Sequence, residues 1–116
     1  MNAQERYEKF ILGEEQKKVE LKIDTKIPNA ATIIVEKEDH TLGNIVRMQL
    51  MRDEHVEFVG YMVEHPLEHR VLFKVKASTV KSPLSCFTDA LENLKEELQA
   101  IQMQFENKLA QFEADN

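Results

Sequence analysis

The chain has 116 residues, of which 42% are hydrophobic and 31% charged, so we expect residues 1–116 to form a single domain with one packed core. Acidic residues outnumber basic ones by 21 to 15, and this excess disfavours autonomous binding to nucleic acid, whose phosphates attract clustered cations. Cys86 is the only cysteine, which excludes an intramolecular disulfide and favours a reducing compartment. No apolar signal segment or run of about 18 apolar residues occurs, so we expect neither secretion nor a membrane span.

Residues 1–18 are predicted to form an N-terminal docking tail. They contain one small apolar group, Phe10-Ile11-Leu12, which lies between charged flanks and is followed by Gly13. A segment with so few apolar residues cannot bury a core of its own. We therefore expect it to dock against another surface rather than to fold independently.

Two antiparallel strands are predicted next. Apolar and charged residues alternate from Val19 to Ile23, which is the period of a half-buried strand. Pro28-Asn29 supplies a turn, and the run Thr32-Ile33-Ile34-Val35 follows it. The two runs are therefore expected to pair with each other.

A short helix is predicted from about Asp39 to Asp53, where the spacing of apolar residues changes. Asp39 or Thr41 can cap the first free amides. Four apolar residues then fall at helical spacing: Leu42, Ile45, Val46 and Leu50. Met48 and Met51 lie on a neighbouring face, so the helix is apolar over more of its circumference than one core requires. It is expected to have two packing partners.

A second strand pair is predicted at 56–63 and 71–75, where β-branched and aromatic residues return. Ser82-Pro83 then begins a final helix, with Ser as the cap and Pro in the first turn. The chain order is β-β-α-β-β-α. This order predicts an α+β fold with a four-stranded, mainly antiparallel sheet, a short helix and a long C-terminal helix.

The final helix, 83–112, carries the strongest signal. Its apolar residues are separated by three and four positions in turn, which places them on one seam: Leu84, Phe87, Leu91, Leu94, Leu98, Ile101 and Phe105, with Leu109 and Phe112 resuming it after Lys108. The helix is about 45 Å long at about 1.5 Å per residue, longer than a small sheet covers. Part of the seam is therefore expected to pack against another protein, and the alternative is that it lies across its own four strands.

No catalytic, metal-binding or cofactor-binding motif is apparent in the sequence. His65 and His69 have the spacing of a helical zinc pair, but Pro66 between them favours a turn. His40 lies beside an acidic residue without a nucleophile in a known motif, and it fits the start of a helix. Cys86 fits a small core position better than a reactive thiol.

The sequence from residue 29 to residue 69 contains four segments that can be read together, and a further segment precedes them: Asn29-Ala30-Ala31, Glu36-Lys37-Glu38-Asp39-His40-Thr41-Leu42-Gly43-Asn44, Val56 to Gly60-Tyr61, His65-Pro66-Leu67-Glu68-His69, and Met1-Asn2-Ala3 with Arg6-Tyr7 and Phe10. In these segments the chain resembles a family of small RNA polymerase subunits. This family comprises the eleventh subunit of eukaryotic RNA polymerase II, archaeal subunit L and the dimerisation domain of the bacterial α subunit.

The resemblance implies a non-catalytic assembly subunit of a nuclear polymerase. It would form a heterodimer with the third polymerase subunit and then contact the tenth and twelfth small subunits and the two largest subunits. The tail around Phe10-Ile11-Leu12 would touch a neighbouring subunit. The implied interface combines both helices: Leu42, Ile45, Val46, Leu50, Phe87, Leu91, Leu94, Leu98, Ile101, Phe105, Leu109 and Phe112.

Two alternatives remain open at the level of sequence. A paralogous subunit shared by RNA polymerases I and III has a similar Asp-His-Thr-Leu-Gly-Asn core, although Met1-Asn2-Ala3 and the segment 65–69 favour polymerase II. The apolar seam alone also permits a homodimeric coiled-coil adaptor unrelated to transcription.

Overall fold

A computed structural model describes residues 17–115. Most of the predicted tail, residues 1–16, therefore lies outside the described residues. The elements follow the predicted chain order: β1 (Val19–Ile23), β2 (Ala30–Glu36), α1 (His40–Met51), β3 (Val56–Met62), β4 (Arg70–Ala77) and α2 (Pro83–Asp115). Helix α2 has 33 residues and extends three residues beyond its predicted end.

The four strands form one antiparallel sheet in the spatial order β1-β2-β4-β3. This arrangement confirms the predicted α+β class and both predicted strand pairs. Asn29, in the predicted turn, has a positive φ of 55°, a conformation that asparagine tolerates better than most residues. Strands β2 and β4 are central, and β1 and β3 form the edges.

The core lies between the helices and one face of the sheet. Side chains at alternate positions of the central strands, such as Ile33 and Phe73, are fully buried. Helix α1 packs over β3 and β4, and the first turns of α2 pack over β4 and β2. Full burial of a large apolar side chain contributes about 1.5–3 kcal/mol, so this two-layer core is the main source of stability for the chain.

The start of α1 is held by three neighbouring residues. The Asp39 carboxylate accepts a hydrogen bond from the Thr41 amide at 2.9 Å, which confirms Asp39 as the cap. His40 Nδ1 lies 3.1 Å from the Tyr61 hydroxyl. A Cβ on Gly43 would lie 2.6 Å from Tyr61 Cδ2, so the absence of a side chain lets α1 approach the tyrosine ring. Residues 39–43 therefore form a helix-to-sheet contact, with His40 at the helix start as predicted.

Aromatic rings connect the two helices through the sheet. Tyr61 on β3 lies against Phe73 on β4, with ring centroids 6.2 Å apart. Phe73 in turn meets Phe87 of α2 edge to face at 5.3 Å. Such pairs contribute about 0.5–1.5 kcal/mol beyond the burial of their surface. The row therefore fixes the first part of α2 on the sheet.

Strand β1 departs from the prediction in one respect. Its position in sequence is as predicted, but all five of its residues are exposed, so it is not half-buried. The reason is its place at the sheet edge, beyond the strands that the two helices cover.

Candidate partner interface

Helix α2 divides into a buried part and an exposed part. Its first turns place Cys86, Phe87 and Ala90 in the core, and Leu94 packs partly against the same cluster. From residue 95 to residue 115 every residue is exposed. We call this exposed part, residues 95–115, the rod. At about 1.5 Å per residue it is roughly 30 Å long.

The exposed part of α2 carries a continuous apolar stripe, which we call the rod seam. Its members are Leu98, Ile101, Phe105, Leu109 and Phe112, and their exposed fractions range from 45% to 67%. At about 100° per residue they fall within an arc of about 80° on the helix. The rod seam is thus the same stripe that the sequence spacing predicts, presented on a surface of the chain.

Helix α1 also presents an apolar face outward. Ile45, Met48 and Met51 are exposed, whereas Leu42 is half-buried against the core. Met48 and Met51 are not among the predicted interface residues. The sequence did contain a sign that they would be exposed: they lie on a second apolar face of the helix, and one core cannot cover both faces.

Three of the predicted interface residues lie elsewhere. Val46 and Leu50 are fully buried and Phe87 is 4% exposed, all within the core of this chain. A partner cannot reach these side chains without opening that core, so their assignment as interface contacts is corrected to a core role. Periodicity shows only that a side chain needs an apolar neighbour.

An ion-pair joint orients α2 relative to α1. The Lys81 ammonium donates to Asp53 at 2.8 Å and lies 2.7 Å from Asp89. Arg52, just after α1, pairs with Glu97 at 2.8 Å. Exposed pairs contribute little on their own, but Lys81 and Asp53 are mostly shielded from solvent. The joint therefore helps to set the direction in which the rod leaves the core.

The shielded pair shows shifted proton affinities. The Lys81 ammonium donates hydrogen bonds to Asp53 and Asp89. These bonds raise the pKa of Lys81, although burial acts to lower it. Burial acts to raise the pKa of Asp53, but the hydrogen bonds from Lys81 and the His55 amide outweigh it, so that pKa is lowered. Both shifts keep the pair charged across neutral pH.

The remaining candidate residues take the places that the sequence predicts. His65 and His69 lie in the loop between β3 and β4, outside any helix. Cys86 is fully buried, and burial, followed by the charge of Asp53, raises the pKa of its thiol. Within residues 17–115, acidic, cysteine and histidine side chains form no group of three that could hold a metal. The helices described in that range are too short or too polar to cross a membrane.

Residues 30–104 match the model of the RNA polymerase Rpb3/Rpb11 dimerisation domain. This span runs from β2 through the first part of the rod. The chain belongs to the Rpb3/Rpb11 dimerisation family. The predicted resemblance is therefore confirmed.

Individual proteins with similar sequences or folds are named as RNA polymerase subunits. The chain is 43% identical over 105 residues to the DNA-directed RNA polymerase II subunit rpb11 of Dictyostelium discoideum, covering 90% of this chain and 88% of that protein. It is 42% identical over 106 residues to the subunit RPB11 of Schizosaccharomyces pombe, covering 90% and 85%. The solved DNA-directed RNA polymerase subunit L of Thermoplasma acidophilum shares the fold, with a TM-score of 0.69, 21% identity, and coverage of 86% and 98%.

Proposed function

We propose that this chain is a non-catalytic subunit of DNA-directed RNA polymerase II that forms a heterodimer with the third subunit. The pair would serve as the platform on which the polymerase assembles for mRNA transcription in the nucleus. Family membership and the printed names of the relatives support this function. The observation that carries it is the rod seam, which the chain leaves exposed.

The energetics of the rod seam favour a stable partner. Full burial of a large apolar side chain contributes about 1.5–3 kcal/mol. The five residues of the rod seam are 45% to 67% exposed, so covering their remaining surface contributes roughly 4–9 kcal/mol before costs. Association costs are estimated at about 4–15 kcal/mol. Additional buried surface on α1 is then needed for tight binding, and its exposed face supplies it.

The proposed interface keeps the predicted residues that remain accessible and adds two. Those from the prediction are Leu42, Ile45, Leu91, Leu94, Leu98, Ile101, Phe105, Leu109 and Phe112. Met48 and Met51 join them. In the assembled enzyme we expect further contacts with the two largest subunits and the tenth and twelfth small subunits. Residues 1–116 would act as one dimerisation domain, with the 1–18 segment as its docking tail.

The alternatives have less support. Relatives at more than 40% identity are named as subunits of polymerase II, which favours that enzyme over polymerases I and III. A parallel or antiparallel pair of α2 rods would bring together two acidic helices, because α2 has seven acidic and only two basic side chains. Like charges at close range disfavour association, so the homodimeric adaptor is the weaker hypothesis.

The experiment compares two neighbouring substitutions in the full chain, each variant being purified alone and titrated with the separately purified third polymerase II subunit. Leu98→Asp places a charge on the rod seam, whereas Gln99→Asp places the same charge about 100° around the helix. We expect the first to weaken the heterodimer more than tenfold and the second less than twofold, measured by titration calorimetry. Failure of the unmodified chain to bind the third subunit, or equal effects of the two variants, would contradict the proposal.

A further inference from the structure

The face of the sheet that turns away from both helices, which we call the outer face, carries apolar side chains on β3. Phe58 and Met62 pair with Lys76 and Leu72 of β4. Those β4 side chains alternate with the buried Phe73, so all four lie opposite the core. Phe58 and Met62 are 59% and 44% exposed. The elements described within residues 17–115 therefore leave this part of the outer face uncovered.

Gly60, between these two residues, turns the apolar surface into a shallow groove. A Cβ on Gly60 would lie 3.5 Å from Phe58 Cζ, so the phenylalanine ring leans along the strand toward the glycine. The groove continues to Leu72 and Lys74 on β4 and has a volume of about 200 Å³. Apolar side chains of a segment that crosses the sheet would fit in this groove.

A basic stripe on β4 runs beside the groove. Arg70, Lys74 and Lys76 all lie on the outer face, because they occupy alternate positions of the strand. Lys76 pairs with Glu57 at 2.7 Å. Within residues 17–115, Lys74 forms no ion pair, and Arg70 Nε is shielded from solvent without a hydrogen bond, 3.4 Å from Glu36 Oε1. The stripe therefore has cationic groups left for an acidic segment.

We propose that the N-terminal segment of this chain, residues 1–16, docks across the outer face with Phe10-Ile11-Leu12 in the groove. This segment has four acidic and two basic side chains around that apolar group. Its composition therefore matches an apolar groove that lies beside a basic stripe. The inference concerns the chain alone, so it does not depend on the heterodimer proposed above.

The point where the segment joins the sheet brings the groove within its reach. Lys18 lies at one corner of the outer face, where its carbonyl accepts from the Glu36 amide at 2.8 Å and its ammonium donates to the Glu36 carbonyl at 2.7 Å. Arg70 is the next residue across the sheet. With strands about 4.8 Å apart and a rise of about 3.3 Å per residue, Met62 is roughly 16 Å from Lys18. The six residues from Lys18 back to Leu12 can span about 20 Å.

Covalent attachment favours this segment over a second molecule. A short tether gives an effective concentration of about millimolar, whereas the acidic rod of another copy would have to bind at its free concentration. The helix-facing side of β1 is a second apolar surface near the segment, but it carries only Val19, Leu21 and Ile23. Docking there would leave the acidic side chains of the segment without cationic partners on that strand.

Tryptophan quenching tests the docking, because the chain has no tryptophan of its own. Met62→Trp places one probe in the groove, and acrylamide quenching is measured for the full chain alone. We expect the quenching constant to rise roughly threefold or more when Leu12→Asn is added, since the docked population is then lost. The matched change Gln16→Asn, outside the apolar group, should alter it by less than about 1.5-fold.

Two controls show that any change is local to the outer face. Phe105→Trp places the probe on the rod, where Leu12→Asn should leave quenching unchanged. Phe58→Trp, at the other end of the groove, should repeat the result of Met62→Trp and replaces it if that variant does not fold. Lys74→Glu should raise quenching of the groove probe, whereas Lys95→Glu on the rod should not.

The opposite outcomes overturn the proposal. Equal effects of Leu12→Asn and Gln16→Asn, or a groove probe that is quenched as readily as the rod probe, would show that the segment does not cover the groove. An unchanged constant in Lys74→Glu would remove the charge match. Protection that grows with protein concentration would assign the groove to a second copy. Protection that requires the third polymerase II subunit would assign it to a neighbouring subunit.

Discussion

Residues 83–94 and 95–115 of α2 continue one apolar seam, but they meet different surroundings. The first segment contributes Phe87 and Ala90 to the core, whereas every residue of the second is exposed. The spacing of apolar residues is the same on both sides of this boundary. The comparison teaches that periodicity identifies a side chain that must be covered, but not the chain that covers it.

The largest expected difference between the two segments is the effect on stability of truncating one phenylalanine in each. We expect Phe87→Ala to lower the free energy of unfolding of the lone chain by about 3–5 kcal/mol, since it leaves a cavity beside Phe73. Phe105→Ala, in the exposed segment, should change it by less than about 0.5 kcal/mol. Urea denaturation of both variants checks this. Equal losses would show that the rod is part of the core.

The same exposed residue should matter in the complex. We expect Phe105→Ala to weaken binding to the third subunit by about 2–3 kcal/mol, which is roughly 30- to 150-fold, because large aromatic side chains dominate interface energies. Titration calorimetry with purified subunits measures this. As a control, Gln99→Ala on another face of the rod should stay within about twofold. An unchanged affinity for Phe105→Ala would remove the rod seam from the interface.

A third prediction concerns the contact that holds α1 on the sheet. Gly43→Ala should lower the stability of the lone chain by about 2 kcal/mol, since its Cβ would lie 2.6 Å from a carbon of the Tyr61 ring. The neighbouring Asn44→Ala, on the exposed face of α1, serves as the control and should cost less than about 0.5 kcal/mol. Thermal unfolding compares them. A neutral Gly43→Ala would mean that Tyr61 moves freely.

The smallest expected effect lies at the joint between the helices. Lys81→Met should lower stability by about 1 kcal/mol near pH 7 through loss of the charged hydrogen bond to Asp53. The lowered pKa of Asp53 means that this contribution is present above about pH 4, the unfolded value, and is lost as pH falls through the folded pKa. The raised pKa of Lys81 means that it is present below about pH 10 and is lost as pH rises further.

Urea denaturation of the wild-type chain and Lys81→Met across this range measures the difference in unfolding free energy. The difference should be level between about pH 5 and pH 9 and shrink at both extremes. A difference that peaked near neutrality would point to a histidine instead of the Lys81–Asp53 pair.

Much of the fold could be predicted because local chemistry fixes it. The alternation at Val19–Ile23, the Asp39 cap and the Ser82-Pro83 helix start each specify a local conformation, and the structure contains all three. Burial of β1 could not be predicted in the same way. It depends on the spatial order β1-β2-β4-β3, which places β1 beyond the helices and which no local pattern contains.

For α1 as well, the sequence could not show which residues lie in the core and which remain exposed. Apolar residues on two faces indicate two neighbours, but the choice of inner face depends on packing against Phe73 and Phe87. The structure turns Val46 and Leu50 inward and leaves Met48 and Met51 outside. On α1, the interface prediction therefore included two core residues and omitted two exposed methionines.

Amide hydrogen exchange of residues 98–112 tests most directly whether a partner covers the rod. We expect fast exchange in the full chain alone, since helices without tertiary packing are only marginally stable in water, and at least tenfold slower exchange when the third polymerase II subunit is bound. Equal exchange rates in the free and bound chain would contradict the account.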